Sequence, residues 1–286
     1  MASYREYAPC EALRPCVRAL FTFSLRQIAL RRRDRLTREV TFQFGEPYWS
    51  NLFADGHLSI VFSFGKGYGV SDLWEGRTPG HVIGPMSGAR RSTTGNDVVQ
   101  MGAYFRAAHS SFFTGVSPRE FQDRIVPLED LWGPRCSSLE TRLYDQGDEL
   151  RRIELLESML LSRMASAPGR SDTIDISGAA HWMSVNGGRP PLSVLSRYAG
   201  VSRQYFARVF HDRVGVTPKL YSRLARFKAG LALLSNANIN WAQTALELGY
   251  SDQSHMIAEF KEFSGRTPAS FSRRPHFHPF SGAPLI

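Results

Sequence analysis

Gly200-Val201-Ser202, followed by Phe210, Gly215, Thr217-Pro218 and Tyr221, recurs as Gly249-Tyr250-Ser251, followed by Phe260, Gly265, Thr267-Pro268 and Phe271. The copies are offset by 49 residues at the first glycine and by 50 from the phenylalanine onward. Each copy reads as a supporting helix, a glycine turn, a serine N-cap, a second helix and a glycine stop. That is the pattern of a helix-turn-helix, used here in tandem. Two such units joined by a helix can set two reading helices into successive turns of one DNA groove.

In the first unit Leu192, Leu195 and Ala199 are expected to line the supporting helix, and Ser202 to cap the next one by accepting a free backbone N–H. Phe206, Val209, Phe210 and Val214 then fall on one face and should point into a core. Arg203, Gln204, Ala207, Arg208 and His211 are left facing outward, with Ser202 at the helix start. Arginine pairs with guanine and glutamine with adenine in the major groove, so these residues are the candidate base readers. A long helix from Pro218 to about Ser235 follows, with Leu220, Leu224, Phe227, Leu231 and Leu234 as its buried stripe. Its Lys219, Arg223, Arg226 and Lys228 are expected to face outward. The helix should hold the reading helices about 34 Å apart, one duplex turn. In the second unit Ile239, Ala242, Ala245 and Leu246 are expected on the supporting helix, Ser251 as the cap, and Met256, Phe260 and Phe263 inside. The outward candidates are Asp252, Gln253, Ser254, His255, Ala258 and Lys261.

Charge is distributed to match. Residues 1–180 hold 22 Lys and Arg against 21 Asp and Glu, whereas residues 181–286 hold 13 against 5. A basic module attached to a neutral one is the footprint of polyanion binding. Within the second unit, however, Lys261 and Arg266 face Glu247, Asp252, Glu259 and Glu262. The first unit is therefore expected to supply most of the attraction.

The first 135 residues read as mostly β. Leu58, Ile60, Phe62 and Phe64 alternate with Ser59 and Ser63 behind an Asp55-Gly56 turn, and Val99, Met101, Ala103 and Phe105 recur with the same period of two. Many short strands with frequent Gly and Pro suggest a sandwich or small barrel. Arg31-Arg32-Arg33 and Arg35 read as a solvated loop or strand rim. A short helix and turn are expected between Ala108 and Phe121, and a helical stretch from 136 to 165, with core packing its default role and a dimer contact the alternative. Three cysteines, Cys10, Cys16 and Cys136, suggest reduced thiols rather than a disulfide framework. His57, His81 and His109 are scattered, and His276 and His278 lie in a Pro-rich tail, so neither a metal site nor a cofactor is expected. Residues 1–15 do not read as a signal peptide, and Arg18 and Arg26 interrupt the apolar stretch from Val17 to Leu30. No membrane contact and a cytoplasmic location are the expectation.

The stretch Ala245-Leu-Glu-Leu-Gly-Tyr-Ser-Asp-Gln-Ser-His255, with Phe260-Lys261, Gly265 and Thr267-Pro268, closely resembles the signature of the AraC/XylS family of bacterial transcription regulators. The resemblance spans about residues 190–274. It implies a seven-helix DNA-binding domain with base-reading helices at Ser202–His211 and Asp252–Lys261, double-stranded DNA and RNA polymerase as partners, and activation rather than repression. Where family members often carry arginine in the second reading helix, this chain has Ala258, followed by Glu259. Asp55-Gly56-His-Leu-Ser-Ile-Val-Phe-Ser-Phe64, Ile83-Gly84-Pro85 and Val126-Pro-Leu-Glu-Asp-Leu-Trp132 resemble an uncharacterised, cupin-like regulatory domain carried by some of these regulators.

The expected fold is thus α+β. A β-rich, sandwich- or barrel-like domain with flanking helices occupies residues 1–165 and serves sensing or dimerisation, and a linker follows at 166–175. An all-α DNA-binding domain runs over 176–274, with its first unit at about 190–215, a linker helix at 218–235 and a second unit at about 239–265. A Pro-rich tail closes the chain at 275–286. The expected function is sequence-specific regulation of transcription, without catalysis, with a small-molecule effector and a homodimer as further possible partners. The competing reading is a metal-dependent cupin-type enzyme fused to a DNA-binding module, which would need clustered His and carboxylate ligands.

Overall fold

The computed structural model describes residues 2–24, 37–42, 48–66, 69–70, 73, 80–94, 97–167, 174–233 and 240–272. The expectations for Arg31 to Arg35, for most of the linker, for Leu234 and Ile239, and for the tail with His276 and His278 lie outside these residues.

Among the described residues ten strands precede the long helices: β1 (Ala2–Tyr7), β2 (Val17–Ser24), β3 (Thr37–Phe42), β4 (Tyr48–Leu52), β5 (Ser59–Lys66), β6 (Gly69–Val70), β7 (Gly80–Ile83), β8 (Arg90–Thr94), β9 (Asp97–Phe105) and β10 (Ile125–Pro127). Seven form one antiparallel sheet in the order β10-β7-β5-β9-β2-β1-β3, and β4-β8-β6 form a second. Period-two alternation on the central strands β5 and β9 sorts the side chains to two faces, and both faces are covered. Ile60, Phe62, Met101, Ala103 and Phe105 join one core with Leu139, Leu143, Ile153, Leu156 and Leu160. These last residues come from α3 (Arg135–Asp145) and α4 (Glu149–Ala165), which follow the short α1 (Ser111–Thr114) and α2 (Glu129–Trp132). The helical run expected over 136–165 is therefore two helices. Gln146-Gly147 breaks it, and Asp148 starts the second by accepting the Arg151 N–H at 2.9 Å. The rotation this introduces leaves Leu150 57% exposed rather than on the buried stripe.

The opposite face of the sheet carries Phe21, Phe23, Val61, Val98 and Tyr104. It packs, together with Phe53, in the same core as Leu224, Phe227, Leu231, Phe260 and Phe263 from the far end of the chain. The second face of the sheet is thus covered by the C-terminal helices.

Those helices are α5 (Ile176–Val185), α6 (Leu192–Tyr198), α7 (Arg203–Val214), α8 (Pro218–Leu233), α9 (Trp241–Glu247), α10 (Gln253–Ser264) and α11 (Pro268–Ser272). A third core gathers Met183, Leu195, Phe206, Phe210, Val214 and Tyr221 within the first unit. Helix α8 joins the units, and its Leu224, Phe227 and Leu231 share a core with the sheet and with α10. Its Gly230 sits where a Cβ would come within 2.8 Å of the Phe260 ring, so the approach of α10 to α8 depends on that glycine. Two expectations change here. Lys228 is not on a free outward face, because α8 is covered on the sheet side, and there Asp55 acts on its charge. In α9 the buried positions are Thr244 and Ala245, with Leu248 buried just after it, while Ala242 is exposed and Leu246 is 64% exposed. The apolar pattern had suggested a register in which Ala242 and Leu246 face inward, but the helix turns Thr244 and Leu248 inward instead.

Candidate nucleic-acid interface

The turns of the two units are built alike. Gly200 and Gly249 take φ of +68° and +82°, the left-handed region in which a side chain is strained. Ser202 caps α7, its Oγ accepting the Tyr205 N–H at 3.2 Å. In the second unit the cap is Asp252, not Ser251: Asp252 Oδ1 accepts the His255 N–H at 2.8 Å. Ser251 Oγ instead donates to Asp252 Oδ2 at 3.1 Å. The change in offset from 49 to 50 is the reason. One extra residue falls between Gly249 and the cap, so Ser202 corresponds to Asp252. The capping N–H, with the Ser251 hydroxyl second, holds the Asp252 carboxyl below its usual range.

On α7, Arg203, Gln204 and Arg208 are exposed, Ala207 is half-buried, and Ser202 is exposed at the start. The Arg208 guanidinium stands 5.0 Å from the centre of the Tyr205 ring, one turn earlier, which orients it along the outer face. On α10, Gln253, Ser254, His255, Ala258 and Lys261 are exposed, as is Asp252 before it. Each unit thus gathers its candidate residues on one open face. His211 stands apart. It is half-buried, and its Nε2–H donates to Gln122 Oε1 of the N-terminal domain at 3.1 Å. Burial, with the Arg119 charge beside it, lowers its pKa.

The two helices are also held alike at their C-terminal ends. The Asp212 carbonyl on α7 accepts Ser117 Oγ–H at 2.6 Å, and its carboxylate takes Arg119 Nη1–H at 3.1 Å. On α10 the Glu262 carbonyl accepts the Ala89 N–H and the Phe263 carbonyl the Ala54 N–H, both at 2.9 Å. The last carbonyls of a helix lack intrahelical partners, and here the N-terminal domain supplies them. The N-terminal halves of α7 and α10 are the halves left open, and in helix-turn-helix proteins that half of the second helix contacts base edges.

Sequence reasoning missed the role of Glu259 and Glu262. Both carboxylates bind Arg223 of α8. Arg223 Nε–H donates to Glu259 Oε1 at 2.6 Å, and Nη1 and Nη2 donate to the two Glu262 oxygens at 3.2 and 2.5 Å. Burial opposes the guanidinium charge, but hydrogen bonds to Glu262 and Glu259 outweigh it and raise the Arg223 pKa. Two of the four acidic residues counted against the second unit therefore share the single positive charge of Arg223 on the linker helix. The i, i+3 spacing of Glu259 and Glu262 was the available signal.

No helix among the described residues is long and apolar enough to cross a membrane. Among the same residues no group of three or more His, Cys, Asp or Glu is placed to hold a metal ion.

This geometry defines a tandem helix-turn-helix module docked on a β domain, and comparison with known proteins agrees. Residues 195–274 match the family model described as a helix-turn-helix domain, and residues 5–127 match a domain of unknown function, DUF6597. An AraC-type helix-turn-helix domain thus stands at the C-terminus and an uncharacterised domain at the N-terminus. An uncharacterised HTH-type transcriptional regulator of Haemophilus influenzae is 27% identical over 79 residues, which are 28% of this chain. The match spans 26% of that relative's length. Among solved structures, ToxT from Vibrio cholerae aligns with a TM-score of 0.43 at 9% identity, over 83% of this chain and 94% of that one. A ToxT structure with bound unsaturated fatty acid aligns with a TM-score of 0.44 at 10% identity, over 81% and 97%.

Proposed function

We propose that this protein is a sequence-specific transcriptional regulator that reads two adjacent major-groove segments with α7 and α10, and that it activates rather than represses. The observation that carries the reading is the exposed row Arg203, Gln204 and Arg208 on the open half of a capped helix, matched in position by the exposed Gln253, Ser254 and Ala258 on α10, with Lys261 one turn further on. Specificity rests mainly with α7, whose groups can pair with guanine and adenine edges. Helix α10 positions more than it specifies, because Lys261 and the polar side chains suit phosphate contacts. Residues 1–165 serve as the regulatory or dimerising part, with RNA polymerase, a small-molecule effector and a second copy of the chain as its proposed partners, and the cytoplasm as its place of action.

Selection of bound duplexes from a random library should return a defined site. On that site Arg208→Ala should cost about 1–3 kcal/mol and relax the preference at one base pair. Equal loss on selected and scrambled duplexes would make Arg208 a phosphate contact and count against base reading by α7.

A further inference from the structure

A cleft of about 810 Å³ separates the two units, walled by Arg189, Lys219, Arg223 and Arg226 on one side and by Ala258 and Glu262 of α10 on the other. Ala258 and Glu262 are four residues apart, so Glu262 lies on the face that Ala258 presents outward. A carboxylate there is poorly placed twice over. It would repel a phosphate approaching the reading face, and it stands in the last turn of α10, where the helix dipole is negative. Its partner is Arg223.

The two carboxylates on Arg223 differ in kind. Glu259 is 4% exposed and its pair with Arg223 is short, so this contact fastens α10 to α8. Glu262 is 46% exposed and binds the outer edge of the same guanidinium through two hydrogen bonds. An exposed pair of this kind adds little to stability, and the helices are already joined through Glu259. Two parallel N–H···O bonds to a fork of oxygens are also the arrangement by which arginine binds a phosphate. Around this pair stand Lys219, exposed and with no ion pair among the described residues, and Arg226 stacked 5.0 Å from the Tyr250 ring. The cleft carries four cationic side chains against two carboxylates.

We infer that the cleft is a seat for the duplex backbone running between the two major-groove segments, and that Glu262 occupies Arg223 in place of a phosphate until DNA displaces it. The inference rests on the DNA-binding reading above. The exchange costs one exposed ion pair and returns one guanidinium–phosphate contact, with Lys219 and Arg226 flanking the incoming group. Glu262 then sets a threshold against non-specific binding, because only a duplex held by both reading helices presents a phosphate at the right place.

The test uses the full chain and a random-sequence duplex about three helical turns long, with affinity measured across a salt series. Glu262→Gln should bind several-fold more tightly at low salt and steepen the slope of log K against log salt by about 0.9, the increment of one added phosphate contact. Glu247→Gln removes the same charge from an exposed site of the same unit outside the cleft, and should leave the slope unchanged. The gain from Glu262→Gln should vanish in an Arg223→Ala background. An equal gain from both glutamine variants, no gain from Glu262→Gln, or a gain that survives loss of Arg223 would overturn the inference. If the parent chain shows no salt-dependent DNA binding at all, the DNA-binding reading itself fails, and this seat with it.

Discussion

Phe227 is where the sheet, the linker helix and the second reading helix meet, and truncating it tests whether they form one cooperative body. The side chain is 1% exposed. Its ring centroid lies 4.9 Å from that of Phe260, 5.6 Å from Phe263 and 6.4 Å from Phe53, with edge or tilted geometries. Burial and cavity formation make a Phe→Ala change cost about 3–5 kcal/mol. Aromatic pairs add about 0.5–1.5 kcal/mol each beyond area, so Phe227→Ala belongs near the upper end of that range. At about 2–4 °C per kcal/mol for a chain of this size class, the midpoint should fall by about 10–20 °C. Calorimetry of the full chain should show one transition, shifted as a whole. Phe206→Ala, in the separate core of the first unit, should lower the same transition. Two resolved transitions, with Phe227→Ala moving only one of them, would refute the shared core.

Three further outcomes follow from named contacts. Asp252→Ala should lower the denaturation midpoint clearly more than Ser251→Ala does, since the first residue caps α10; the reverse order would contradict the assigned cap. Burial pushes the Asp55 carboxyl up to about 6 and pulls the Lys228 ammonium down to about 8, the latter against the attraction of Asp55. The lowered Lys228 pKa means that its contribution is complete above about 10.5 and is lost as pH falls through about 8, so stability should rise over that window. Asp55, with its pKa raised, contributes below about 4 and loses that contribution as pH rises through about 6. The Asp55→Asn, Lys228→Met double variant should lack the rise in melting temperature between pH 8 and 10, and an unchanged rise would sink the assignment. Ala258→Arg should strengthen DNA binding by adding a cation to an exposed face of α10; no gain would show that this face does not meet the duplex.

The parts of the structure legible in the sequence are those fixed by short-range chemistry. Gly200 and Gly249 mark turns that need a left-handed residue, and Phe206, Phe210, Phe260 and Phe263 repeat with the helical period. Ser202 caps as its position suggests. Alternation along 58–64 and 99–105 identified the central strands. The failures share a cause, since each depends on what packs from elsewhere in the chain. Lys228 reads as a solvated charge until the sheet is laid over α8, and Leu246 reads as core until α9 turns Thr244 and Leu248 inward. His211 reads as a freely outward residue until Gln122, 89 positions earlier, is brought against it. Nothing in the local pattern of Phe53 or Phe227 states that they belong to one core. The cap at Asp252 was nearer to hand, because the one-residue change in repeat offset already aligned it with Ser202.

The central claim is that α7 and α10 enter successive major-groove segments on one side of a duplex. Hydroxyl-radical footprinting of the full chain on a selected site tests it most directly. Two protected stretches on one face are expected, about one helical turn or 10 base pairs apart, with single base-pair changes costing about 1–3 kcal/mol mainly in the half read by α7. Protection confined to one stretch, or equal sensitivity in both halves, would contradict it.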